Sequence, residues 1–318
     1  MIRHLCICLI LLIPTIALAQ NVKVTLLGTG SPIPSIQRFG PSILVEAGPE
    51  KLLFDCGRGV PIRLSQIHVP MRDVTAVFFT HLHSDHIVGF PDLWLTGWLP
   101  HPAFGQRTEP MHVYGPVGTR QMILHLEQAY RADIRIRIVD EKLPPSGAAI
   151  IAKEIREGVV YEKSGVRVTA FNVDHGEFIK PAFGYRIDYQ GRSVVLSGDT
   201  RFSENLIRFS KGTDVLFHEV AAAKAENLKT SPSARRIIGH HTTPEDAGRV
   251  FGLVKPKLAV YTHIVLLSTD SKIAAPTVDD LVSLTRTTYP GPLEVGEDLM
   301  SVEVGDRITV YRFKQASH

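Results

Sequence analysis

Thr80-His81-Leu82-His83-Ser84-Asp85-His86 places three histidines and a carboxylate within six residues, directly after an apolar run at 74–80. That run reads as a strand. On an extended segment side chains alternate, so His81 and His83 point the same way. The chain then turns into a helix, which swings Asp85 and His86 toward a second position close by. Imidazole and carboxylate suit zinc, and also manganese and iron.

Outward from this stretch, three later apolar runs end in the same residue types. Asp174-His175-Gly176 follows 166–173, Ser197-Gly198-Asp199-Thr200 follows 193–196, and Thr262-His263 follows 258–261. Each alone reads more readily as a cap or a turn residue than as a ligand. Together with the first cluster they complete two coordination spheres, carried on loops over a rigid scaffold. Further strands are expected at 21–27, 42–46, 51–54, 182–189, 214–218 and 308–313. Helices are expected at 115–130 and 244–253, the latter with Thr243 as N-cap and Pro244 as first residue. Residues 141–147 read as a loop. Two runs of strands, each followed by helices, predict an α/β protein of two sheets packed face to face with helices outside.

Composition narrows the function classes. Of 318 residues, 44% are apolar and 21% charged, a globular balance. Lys plus Arg is 35 against 32 for Asp plus Glu, a net charge of +3 and no footprint of a dedicated polyanion binder. Cys6, Cys8 and Cys56 are too few for a disulfide framework or a thiolate cluster. Residues 1–19 read as a signal peptide. Arg3 supplies the basic start, an apolar core follows, and Ala17-Leu18-Ala19 is the small-x-small pattern before a cut. The expectation is one hydrolase domain over 20–318, exported to the periplasm or secreted, without a membrane span after cleavage.

The Thr-His-x-His-x-Asp-His stretch, His175, Ser197-Gly198-Asp199-Thr200 and His263 resemble the metallo-β-lactamase superfamily. Leu53-Phe54-Asp55-Cys56-Gly57 and Phe217-His218-Glu219-Val220-Ala221 are closest to its ribonuclease Z-like branch, and His241 lies 22 residues before His263, where that branch has another histidine. Pro91-Asp92-Leu93-Trp94-Leu95-Thr96-Gly97-Trp98 looks most like the exported arylsulfatase-like group.

The resemblance implies a four-layer αβ/βα sandwich of two mixed sheets flanked by helices. It implies two Zn2+, with manganese or iron as alternatives. His81, His83 and His175 would hold one ion, Asp85, His86 and His263 the other, and Asp199 both. Asp85, His241 and Glu219 would be catalytic: Asp85 taking a proton, His241 serving the leaving group, Glu219 fixing the His241 ring. Asp55 would orient a ligand histidine.

Two departures weigh against RNA processing. Only 23 residues separate His175 from Asp199, too few for the basic arm that grips tRNA, and the branch's His-Glu-Ala-Thr motif has Val220 and Ala221 at its third and fourth positions. The first expectation is therefore an exported dinuclear zinc hydrolase of small anionic esters, aryl sulfates above all, with no specific nucleic acid partner and with room for a homodimer. The alternatives are a ribonuclease Z-like phosphodiesterase and a catalytically silent metal-binding protein. Trp94 and Trp98, four apart, share a helix face and either pack in the core or wall the pocket for an aromatic leaving group. His68, His101, His112 and His125 read as structural or surface residues, Cys56 as a buried small hydrophobe, and His218 as a supporter of a ligand.

Overall fold

The computed structural model describes residues 21–314, so the expected signal segment at 1–19, with Cys6 and Cys8, lies outside the described residues. The chain opens with β1 (Val22–Gly28), β2 (Ser42–Ala47), β3 (Glu50–Phe54), β4 (Ala76–Phe78), β5 (Met111–Gly115) and β6 (Ile150–Glu154). It continues with β7 (Gly158–Lys163), β8 (Val166–Val173), β9 (Ala182–Tyr189), β10 (Arg192–Leu196), β11 (Val215–Ala223), β12 (Leu258–Leu267) and β13 (Leu293–Val295). The last pair, β14 (Ser301–Val304) and β15 (Ile308–Tyr311), returns to the first sheet, whose order is β15-β14-β1-β2-β3-β4-β5-β6. The second sheet runs β13-β12-β11-β10-β9-β8-β7.

Turn chemistry sets the antiparallel parts. Gln190-Gly191 joins β9 to β10 with φ of 48° and 76°, and Ser164-Gly165 joins β7 to β8 with φ of 53° and 81°. Two left-handed residues match the twist of the flanking strands, and a glycine takes the second position at little steric cost. The parallel parts need crossovers. The first half supplies α1 (Val60–Gln66), α2 (Ser84–Ile87), α3 (Phe90–Thr96), α4 (Thr119–Ala129), α5 (Arg131–Val139) and α6 (Pro145–Ala148). The second supplies α7 (Glu204–Ser210), α8 (Ala225–Thr230), α9 (Pro232–Ile238), α10 (Pro244–Val254) and α11 (Val278–Arg286).

Three apolar layers hold the stack together. Val22, Val24 and Leu26 of β1 meet Tyr185, Ile187 and Val194 of the second sheet in the central layer. Leu53 and Val77 pack under Leu64, Trp94 and Ile123 of the first helical layer. Val195, Leu216 and Ala259 pack under Leu206, Phe251 and Leu281 of the second. The expected four-layer arrangement is present.

The elements differ from expectation in instructive places. The helix expected from Gly115 begins at Thr119, because Gly118 sits at φ 103° ahead of it. A second helix, α5, follows where none was expected; it carries the Asp133–Arg137 pair at i,i+4. Within 141–147, Pro145 starts the single turn of α6. That turn matters to the tryptophans. Trp94 Nε1 donates to Ala148 O and Trp98 Nε1 to Pro144 O, each at 2.9 Å. Both rings are fully buried. Of the two readings of the pair the core one holds, and the other, that one of them walls an active-site pocket, is overturned.

Candidate metal centre

Asp55 starts the site. It follows β3 with φ 56°, a left-handed conformation that costs a non-glycine residue energy and aims its carboxylate across the sheet. There it accepts from Thr80 N at 2.8 Å, Thr80 Oγ1 at 2.9 Å and His86 Nδ1 at 2.7 Å. The backbone adds Cys56 N to His86 O at 2.7 Å. The histidine turn after β4 is thus pinned from beneath, and His86 presents Nε2 to the interior. Asp55 orients a histidine, as expected.

The expected ligands converge at one rim of the two sheets. The candidate donor atoms of His81, His83 and His175 lie within 4.8 Å of one another, as do those of Asp85, His86 and His263. Asp199 Oδ2 lies between the groups, 3.3 Å from His86 Nε2, 3.2 Å from His263 Nε2 and 3.7 Å from His175 Nε2. His263 Nε2 is also 3.4 Å from Asp85 Oδ2. The strand expected to stop at Tyr261 in fact runs on to Leu267, and His263 is an extra residue within it. The β11–β12 register shifts between Glu219–Thr262 and Val220–Ile264, and His263 has φ 40°. A bulge re-aims a side chain in mid-strand, which places this histidine over the rim.

Behind the ligands lies a supporting layer. His175 Nδ1 donates to His240 O at 2.9 Å, so His240 contributes a carbonyl while its ring is exposed. Glu219 Oε1 accepts from Thr200 N at 3.2 Å, Thr242 N at 3.0 Å and His241 Nδ1 at 3.2 Å. This leaves His241 Nε2 uncommitted beside the cluster; His241 also falls within donor range of His175 and Asp199. His218 does not support a ligand: its Nδ1 donates to Glu219 O at 2.6 Å and its ring packs edge-on against Phe251. His68, His101, His112 and His125 stand outside every such group among the described residues. Cys56 is buried, and burial pushes its thiol well up, as befits an inert hydrophobe.

Charge sorts the imidazoles. Burial lowers His81 far below the ordinary histidine range, lowers His83, and takes His175 down to about 4. These three are neutral at pH 7 and offer lone pairs. Burial opposes ionisation of Asp199, yet His263 and His86 hold its carboxyl well below the usual carboxylate range. Burial would also discharge His241, but Glu219 outweighs it and raises the ring to about 9.

The donor set fits a pair of cations. His81 Nε2 and His86 Nε2 are buried without a hydrogen-bond partner. An unpaired buried polar atom is costly, and a cation is the partner that a cluster of imidazoles and carboxylates satisfies. Sequence reading missed Thr80 and Thr242, which hold Asp55 and Glu219 in place. Thr80 stood in the first stretch quoted. It also missed Asp298, which accepts from Thr29 N at 2.9 Å, Phe39 N at 2.7 Å and Arg63 at 2.7 Å. Partners that distant in sequence leave no local signal.

Known proteins match this chain along most of its length. The family model described as "Beta-lactamase superfamily domain" covers residues 44–264. A ribonuclease Z of Mycolicibacterium gilvum is 33% identical over 283 residues, 89% of this chain and 96% of the relative. A ribonuclease Z of Mycobacterium marinum is 34% identical, over 90% of this chain and 100% of its own. Among solved structures, the metallo-beta-lactamase fold protein YhfI of Bacillus subtilis aligns with a TM-score of 0.68 at 20% identity, over 89% of this chain and 99% of its own. Human short-form tRNase Z aligns at 0.65 and 22%, over 89% and 99%.

Proposed function

As the chain belongs to the ribonuclease Z-like branch of the metallo-β-lactamase superfamily, we propose that it is a dinuclear zinc phosphodiesterase acting on RNA. The position of Asp199, one carboxylate between two histidine-rich groups, carries the reading. His81, His83 and His175 would hold one ion, Asp85, His86 and His263 the other, and Asp199 both. Two cations there would acidify water and neutralise charge developing on the phosphoryl oxygens. Asp85 receives the proton of the attacking water. His241, held through Nδ1 by Glu219, donates from Nε2 to the leaving oxygen. Glu219 keeps that ring oriented and charged.

This reading replaces aryl sulfate esters as first choice, and with them the expectation of no nucleic acid partner. The stacking wall that favoured an aromatic leaving group is absent, because Trp94 and Trp98 are core residues. Both relatives quoted above are named ribonuclease Z. The stretch between His175 and Asp199 is spent on β9, β10 and their short connections, which leaves no arm for gripping a tRNA body. The substrate proposed is therefore RNA without a requirement for the tRNA fold.

The deciding experiment measures kcat/KM of the zinc-loaded protein for an oligoribonucleotide, a precursor tRNA, bis(4-nitrophenyl) phosphate and 4-nitrophenyl sulfate. Hydrolysis of the two phosphodiester chains well above the sulfate is the expected result; a preference for the sulfate overturns it. Export remains part of the proposal, resting on residues 1–19. N-terminal sequencing of protein recovered from a periplasmic extract should begin at Gln20. A homodimer belongs to the same reading, and sedimentation equilibrium measures it.

A further inference from the structure

A groove of about 770 Å3 opens outward from His241, lined by Phe202, Leu228, Arg235 and Ile238 and edged by Asp174, Arg201 and Asp246. Its charges do not cancel evenly. Arg201 is paired with Asp174 at 2.7 Å, and Asp246 with Arg249 at 2.6 Å. Arg235 has no carboxylate partner among the described residues; it donates to Leu228 O at 2.6 Å and Lys229 O at 3.1 Å, which anchor it at the end of α8. One anchored, unneutralised guanidinium therefore faces the groove. Phe202 lies three residues past Asp199 in sequence and is 39% exposed, an aromatic ring left open to solvent in the groove that His241 also lines.

An aromatic ring, a free guanidinium and an apolar floor, joined to a proton donor, match one ligand chemistry. A nucleotide brings a flat base that stacks and a phosphate that pairs with arginine. We propose that this groove seats the unpaired nucleotide on the leaving-group side of the scissile phosphate, its base against Phe202 and its next phosphate at Arg235. The proposal rests on the phosphodiesterase reading and narrows it. A base inside a duplex has both faces covered by its neighbours, so the groove selects single strands.

The test is fluorescence anisotropy of the zinc-loaded protein with a 5′-fluorescein oligouridylate carrying phosphorothioate linkages that slow hydrolysis. Phe202→Ala should weaken binding on the order of 10-fold, the size of one lost base stack. Phe202→Leu, which keeps apolar volume without a ring, should weaken it nearly as much. Arg235→Ala should weaken binding and flatten the slope of log affinity against log salt by about 0.7, one phosphate contact; Arg235→Lys should restore that slope. Arg167→Ala, at the opposite end of β8 from His175, reports the effect of losing any surface arginine and should leave binding within about two-fold. Zinc content and thermal midpoints show that each variant is folded. If the wild type binds the oligonucleotide and the Phe202 and Arg235 variants bind it equally well, the groove assignment fails while the phosphodiesterase reading stands. Equal affinity for a duplex of the same length likewise overturns the groove. A wild type that neither binds nor cleaves the oligonucleotide, yet turns over 4-nitrophenyl sulfate, removes the phosphodiesterase reading itself.

Discussion

Asp199 and His241 sit a few ångströms apart and should fail in different ways. Asp199→Ala removes the carboxylate between both donor groups, so protein purified without chelator should drop from near two zinc equivalents to one or fewer and lose activity. Two equivalents and normal turnover in that variant would remove the bridging role. His241→Ala should keep its zinc and lose roughly 10²–10⁴-fold in kcat, the usual worth of a general acid, with a smaller loss on nitrophenyl esters whose leaving group needs no proton. An equal loss on good and poor leaving groups would mean that His241 only positions the substrate. The metal-free protein offers a third measurement. His175 is depressed to about 4, so between pH 4 and 6.5 the unfolded chain binds the extra proton and stability rises with pH. His241 is raised to about 9, so between pH 6.5 and 9 the folded chain holds the extra proton and stability falls. Thermal midpoints after chelation should therefore peak near pH 6.5. Glu219→Gln keeps the acceptor for Thr200 N and Thr242 N but removes the charge, and should flatten the alkaline limb.

Among the elements, the strand ends were legible and the interruptions were not. His81, His83, His175 and Asp199 could be read because each follows an apolar run, and a ligand at a strand end is visible as a change of residue type. His263 was found for the wrong local reason: the apolar run Ile264–Leu267 already carries the strand past its ligand, and what stays hidden is the bulge, which depends on pairing with β11. α5 was missed because its exposed apolar residues, Ile136 and Val139, blur the helical period. The Trp94–Trp98 spacing admitted two readings, and only the turn at 144–148, whose Pro144 and Ala148 carbonyls accept from the two indoles, separates them. Trp94→Ala should accordingly behave as a core deletion. We expect a loss of about 3–5 kcal/mol, seen as a clear drop in thermal midpoint, with kcat/KM near wild type at low temperature. A large loss of turnover without a loss of stability would return Trp94 to the pocket wall.

Across the whole molecule, the first described strand is tied to the last strands and to the loop before them. Val22 pairs with Val304 and Thr25 with Ser301, and Asp298 reaches Thr29, Phe39 and Arg63. Arg63 is nearly buried, so Asp298→Ala strands a cation and should cost roughly 3–5 kcal/mol in urea unfolding. An unchanged midpoint would mean that water or another group takes its place. The same tie puts folding in time order during synthesis. While the ribosome is still making the middle of the chain, β1 has β2 on one side and a bare row of amides and carbonyls on the other. That edge stays open until residues 301–304 have left the exit tunnel and can pair with it. The nascent protein thus cannot close its first sheet until this late segment arrives, and β1 offers an unpaired strand edge in the interval.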